Sequence, residues 1–100
     1  MILEVATLTV KSGQASAYEA ALRAARPLIA GSPGFQSLEL RRCIETPDKY
    51  KLFVRWATLE DHTVGFRQGP SYPAWRAALH HFYADFLVEH YEEPVALAPA

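Results

Sequence analysis

All four histidines of this chain, both tryptophans and three of the five tyrosines fall between residues 56 and 91, together with Phe66, Phe82 and Phe86. Aromatic walls with a few titratable groups among them suit a small-molecule site: the rings bury an apolar ligand and the polar groups orient it. His62 lies one helical turn after Leu59 and one before Phe66, on an inward stripe. A histidine there is either a hydrogen-bonded core residue or a pocket base working near neutral pH. His80 and His81 are adjacent, so on a helix their side chains diverge by about 100° and one at most faces a pocket. His81 is taken as the second candidate base, with His80 left open beside it as a substrate contact. His90 alternates with Phe86 and Val88, so it faces either the helices or the seam of a dimer.

Other candidates carry two readings each. Phe66, Trp75, Leu79 and Phe82 are ligand walls or simply the core of a small domain. Arg67 and Arg76 follow Phe66 and Trp75; they are solvated surface charges, or one of them orients a phenolate, enolate or carboxylate. No metal site is expected, because none of the histidines and carboxylates has zinc-like or facial-triad spacing on one element. Cys43 reads as a small buried hydrophobe in a strand. Gly31, Gly34, Gly65 and Gly69 make no dinucleotide-binding pattern.

The elements that must position these residues follow from periodicity. Residues 2–10 are rich in β-branched types and predict a strand, with Ile2, Ala6, Leu8 and Val10 on one face and Leu3, Val5, Thr7 and Thr9 on the other. Tyr18, Ala21, Leu22, Ala25, Leu28 and Ile29 build one stripe of a helix from about Gln14 to Ala30, with Pro27 expected to kink or weaken its last turns. Strands over 35–45 and 49–57 make a hairpin around Thr46-Pro47-Asp48. Thr58 and Asp61 form a capping box for a short helix broken by Gly65 and Gly69-Pro70; Ser71 then caps a second segment carrying Tyr72, Trp75, Leu79 and Phe82 on one face. A last strand runs from Phe86 to Tyr91.

The order β-α-β-β-α-β is the α+β, ferredoxin-like split plan: an antiparallel sheet with both helices on one face. Residues 1–92 form that domain and 93–100 a candidate flexible tail. Strand 1 spends apolar residues on both faces, which a homodimer packed sheet to sheet would accommodate. Composition narrows the partners. Ten basic against eleven acidic residues leave a net charge of −1, with no basic stripe for nucleic acid. No apolar run approaches the roughly 20 residues of a membrane span. The lone Cys43 and an amino terminus without a basic leader make the cytoplasm the expected location.

The opening Val5-Ala-Thr-Leu-Thr-Val-Lys-Ser-Gly-Gln14 and the junction Arg55-Trp-Ala-Thr-Leu-Glu-Asp-His62 resemble the antibiotic biosynthesis monooxygenase family, as do Phe66-Arg67, Tyr72, Trp75-Arg76 and His80-His81-Phe82-Tyr83. The resemblance spans residues 2–91 and implies a dimeric α+β barrel with a pocket between sheet and helices in each protomer. It implies a monooxygenase of a small hydroxylated aromatic or quinol that uses dioxygen and no metal, flavin or other cofactor. On that footing His62 or His81 is the base, Tyr72 or Tyr83 with Arg67 and His80 holds polar groups, and Trp56, Phe66 and Trp75 are walls. The family's haem-degrading branch carries an Asn in strand 1, a Trp in the helix after strand 3 and a haem-ligating His beyond it. The matching places here are Ala6, Phe66 and Arg76, which depart from that pattern. A dimeric small-molecule or haem binder without catalysis is the alternative reading.

Overall fold

The computed structural model describes residues 1–98. Four strands, β1 (Ile2–Val10), β2 (Phe35–Arg42), β3 (Lys49–Trp56) and β4 (Tyr83–Tyr91), alternate with helices α1 (Ala15–Ala30) and α2 (Tyr72–Leu79). The sheet order is β2-β3-β1-β4 and every neighbouring pair is antiparallel. This is the expected ferredoxin-like plan, with β1 in the interior of the sheet. α1 turns Tyr18, Leu22, Ala25 and Ile29 onto Leu8, Val10, Tyr50, Leu52 and Val54, closing one core. No helix among the described residues is long and apolar enough to cross a membrane.

Several boundaries differ from the expectation for local reasons. Pro27 lies inside α1, yet the helix continues to Ala30, because the loss of one N–H near a helix end removes little. β2 stops at Arg42, so Cys43 sits beyond the strand, in the turn that its amide closes on the Lys49 carbonyl at 2.8 Å. β4 begins at Tyr83 rather than Phe86, since Tyr83 already pairs with Val10 across an irregularity at Thr9. Ser71 precedes α2, but its hydroxyl makes no capping bond. Of the expected tail, residues 93–98 are exposed and the Met1 amino group meets Glu93 at 2.7 Å; the last two residues lie outside the described ones.

The segment after β3 matters most for the site. The capping box forms in both directions: the Asp61 amide donates to Thr58 Oγ1 at 3.2 Å, and the Thr58 amide donates to Asp61 Oδ2 at 3.1 Å. It opens a π-helical turn, Asp61–Phe66, instead of an α-helix. His62 and Phe66, four residues apart, are the buried residues of this turn, and such turns recur at functional positions. Gly34 abuts this cap. Its φ is +86°, and a methyl group there would run into the Asp61 carboxylate. Gly34→Ala is therefore expected to lower stability by about 2 kcal/mol, from the left-handed backbone and the disturbed cap together. A urea-denaturation midpoint equal to wild type would refute that.

Candidate active site

A cavity of about 290 Å³ opens between the sheet and the π-turn–α2 segment. Its floor is β1, β3 and β4 through Glu4, Ala6, Leu52 and Val88, with Ile29 of α1 alongside. His62, Phe66, Arg67, Tyr72, Trp75, His80, Tyr83 and Phe86 complete the lining. Seven of the nine residues singled out from the sequence meet there. Trp56 and His81 do not line it.

Trp56 is fully buried beneath the site instead of walling it. Its indole stacks on His62 at 5.3 Å with planes 17° apart, and its Nε1–H donates to Glu4 Oε1 at 2.9 Å. The reason is register. Trp56 and Val54 lie opposite Ile2 and Glu4, so the indole reaches along the sheet to the carboxyl rather than outward.

His81 is exposed, packed on Phe82 at 4.2 Å, and it is His80 that enters the cavity. After Leu79 the chain tightens into a 3-10 turn, His80–Phe82. Three residues per turn align Leu79 with Phe82, both buried in the core, and throw His80 and His81 to opposite flanks. The His80 ring lies 5.4 Å from Tyr83 and 5.0 Å from Phe86, which stack on each other at 4.9 Å. Burial, and then the Arg76 charge, lowers its pKa, so the ring is neutral at pH 7. No hydrogen bond engages it among the described residues.

His62 is differently placed. It is 3% exposed and both of its ring nitrogens are in contact: Nδ1 lies 2.8 Å from His90 Nε2, and Nε2 lies 3.4 Å from Glu4 Oε1. Burial, then the Arg67 and His90 charges, pushes its pKa down to about 3. Glu4 moves the other way, raised by burial against the opposing pull of the Trp56 hydrogen bond and Arg67. His90, lowered by burial and Arg67, faces the helices and not the outer side of the sheet. Behind Tyr83 stands the fully buried Tyr18, with 3.2 Å between the hydroxyls, and burial pushes the Tyr83 phenol up to about 12.

Glu4 is the residue that the sequence reading passed over. The signal was present: a carboxylate alternating with Ile2, Ala6 and Leu8 on the buried face of a strand is costly unless it has partners. Phe86 and Val88 share the face of His90, which the sequence leaves open between the helices and the dimer seam; both line the cavity. Arg76 is exposed and lies off the cavity.

No group of three metal-ligating side chains occurs among the described residues. Glu4 and His90 contact opposite nitrogens of His62, so the three cannot converge on one ion. The positions matching the haem-degrading pattern do not fit haem either: Ala6 and Phe66 offer only apolar surface, and Arg76 stands outside the cavity.

Comparison with known proteins agrees with this architecture. The sequence profile described as antibiotic biosynthesis monooxygenase matches residues 1–78. A Bacillus subtilis (strain 168) protein, the uncharacterized YczJ, is 45% identical over 94 residues, 93% of this chain and 99% of its own. The crystal structure of a Bordetella bronchiseptica protein, provisionally assigned as an antibiotic biosynthesis monooxygenase, superposes with a TM-score of 0.89 at 34% identity, covering 94% of this chain and 97% of that one. SnoaB of Streptomyces nogalater, described as a cofactor-independent oxygenase, shares the fold with a TM-score of 0.80 at 17% identity, over 98% of this chain and 97% of its own.

Proposed function

The chain belongs to the antibiotic biosynthesis monooxygenase family, and we propose that it is a cofactor-independent monooxygenase that oxidises a small phenol, or a quinol with a free ring C–H, to an oxygenated quinone with dioxygen. The observation carrying this reading is His80: a neutral imidazole with no protein partner, in a cavity shared with Arg67 and the Tyr72 and Tyr83 rings. A cavity of about 290 Å³ is at the small end for ligand sites and suits a mono- or bicyclic aromatic.

The chemistry asks little of the protein. His80 removes the phenolic proton, and the Arg67 guanidinium holds the phenolate. The electron-rich phenolate passes one electron to dioxygen, and the resulting radical and superoxide combine at the para carbon as a peroxide. Loss of the ring proton and cleavage of the O–O bond then give the quinone and one water, so that HO–Ar–H and O2 become O=Ar=O and H2O. Phe66, Trp75 and Phe86 exclude water from the intermediate. SnoaB, named as a cofactor-independent oxygenase, offers a precedent for such chemistry on this fold. His62 takes no direct part as base, because neither ring nitrogen is free.

The working unit in this proposal is a homodimer in the cytoplasm, closed through the outer face of the sheet, where Leu3, Val5, Phe53 and the 57%-exposed Leu87 gather. Sedimentation equilibrium at micromolar concentration is expected to give a dimer mass; a stable monomer would contradict it. The reaction is tested with an oxygen electrode and a panel of one- and two-ring phenols. Uptake should be stoichiometric with quinone, and 18O2 should place one labelled atom in the product. Binding of the same phenols without any uptake would replace this reading with that of a small-molecule binder.

A further inference from the structure

We infer that Glu4, His62 and His90 form a proton-delivery line into the cavity, in which Glu4 is the acid that protonates the oxygen leaving the peroxide. The inference rests on the oxygenase reading above, because it assigns the source of one of the two protons on the water product.

Three contacts define the line: His90 Nε2 to His62 Nδ1 at 2.8 Å, His62 Nε2 to Glu4 Oε1 at 3.4 Å, and the Trp56 indole holding that same oxygen at 2.9 Å. An imidazole in contact at both nitrogens has the geometry to take a proton at one and give one up at the other. At one end Glu4 lines the cavity, and both of its contacts fall on Oε1. At the other end His90 is only partly buried, near the end of the edge strand β4 and directly opposite Glu4 in the β1–β4 register.

The transfer balances. Once Glu4 has given up its proton it is ionised, and the line reloads it with His62 carrying a proton on Nε2 towards it and His90 donating from Nε2 to His62 Nδ1. A proton arriving from solvent at His90 Nδ1 shifts the His90 Nε2 proton to His62 Nδ1 and the His62 Nε2 proton to Glu4. The imidazoles end neutral in their other tautomers, and the carboxyl holds the proton that had entered at the surface. Its release to the departing oxygen restores the starting charge. The ring proton supplies the second hydrogen of the water, the phenolic proton taken by His80 leaves to solvent, and a half-turn of each imidazole resets the line.

A buried carboxyl that only anchored Trp56 would need its oxygen and not its proton, and glutamine supplies that oxygen. The groups facing Glu4 are His62 and Arg67 from the π-turn and the segment after it, His90 and Tyr83 from β4, His80 from the 3-10 turn and Tyr72 from α2. α1 contributes only Ile29 and β3 only Leu52 to the cavity. Burial raises the pKa of Glu4 against the Trp56 hydrogen bond and the Arg67 charge, so this carboxyl takes up a proton more readily than an exposed one.

The test is Glu4→Gln in the full chain, with His90→Gln as a second variant that leaves the Glu4–Trp56 pair intact. With a phenol that wild type oxidises, Glu4→Gln should lower kcat by about 100-fold while KM stays within about twofold. It should also abolish the fall of kcat on the alkaline side of the pH profile. An unchanged kcat and profile in Glu4→Gln, or a KM that rises as much as kcat falls, overturns the inference and leaves the oxygenase reading standing. Should no phenol be oxidised by wild type, that reading fails first, and 15N-histidine NMR decides the line without turnover. His62 and His90 titrating together with Glu4, and uncoupling in Glu4→Gln, support it; independent titration in wild type refutes it.

Discussion

His80→Ala is expected to lower kcat for an accepted phenol by about 10²–10⁴-fold, the usual contribution of a positioned general base. KM should move far less, because the Phe66, Trp75 and Phe86 surfaces that bury the ring are untouched. The neighbouring His81→Ala supplies the internal control. His81 is exposed on the opposite flank of the 3-10 turn, so its loss should leave turnover within about twofold of wild type. Added imidazole should restore part of the His80→Ala activity, since the cavity then holds a vacancy shaped for it. The ratio between the two variants is the decisive measurement. A larger loss in His81→Ala, or wild-type turnover in His80→Ala, would remove the base from the site assigned to it.

The second large effect concerns pH and stability. His62 is buried neutral, with its pKa depressed to about 3 from an ordinary 6.5. The unfolded chain therefore binds a proton on His62 through that window while the folded protein does not. The stability that this neutral, buried ring confers is complete above about pH 6.5. It is lost as pH falls towards about 3, at roughly 1.4 kcal/mol per pH unit. His80 and His90, both lowered, act in the same direction. Glu4 opposes them: its raised pKa favours folding below the ordinary carboxyl value, and that contribution fades as pH rises through the folded value. Three imidazoles against one carboxyl leave an acid-labile protein. Urea midpoints should fall steadily from pH 7 to pH 4.5, and His62→Phe, which keeps a ring against Trp56, should flatten that slope. A midpoint independent of pH in wild type would show that His62 is not held neutral.

Much of the site was legible from residue types. Phe66, Arg67, Tyr72, Trp75 and Tyr83 were recognisable because an aromatic cluster interleaved with cations lies outside the alternation of a plain strand, and all five line the cavity. The choice between His80 and His81 was not legible. It depends on whether the chain at Leu79 continues at 100° per residue or tightens towards 120°, and the core decides that by burying Leu79 and Phe82 together. Glu4 was hidden for another reason. A single carboxylate in a strand gains meaning only from its cross-strand partners, and those are set by a register linking residues about fifty and ninety positions along.

The amino-acid sequence by itself determined the element order, the buried stripes of α1 and α2, the capping box that opens the π-turn and the family. These rest on short-range physics: periodicity, turn chemistry and local hydrogen bonds between near neighbours. Only the tertiary structure decided which of His80 and His81 enters the cavity, that Trp56 lies beneath that cavity, and that Glu4, His62 and His90 meet. Those facts depend on how β1 pairs with β3 and β4 and how the π-turn docks above them. Packing and burial settle such contacts across the whole chain, and with them the charge that each buried group can carry.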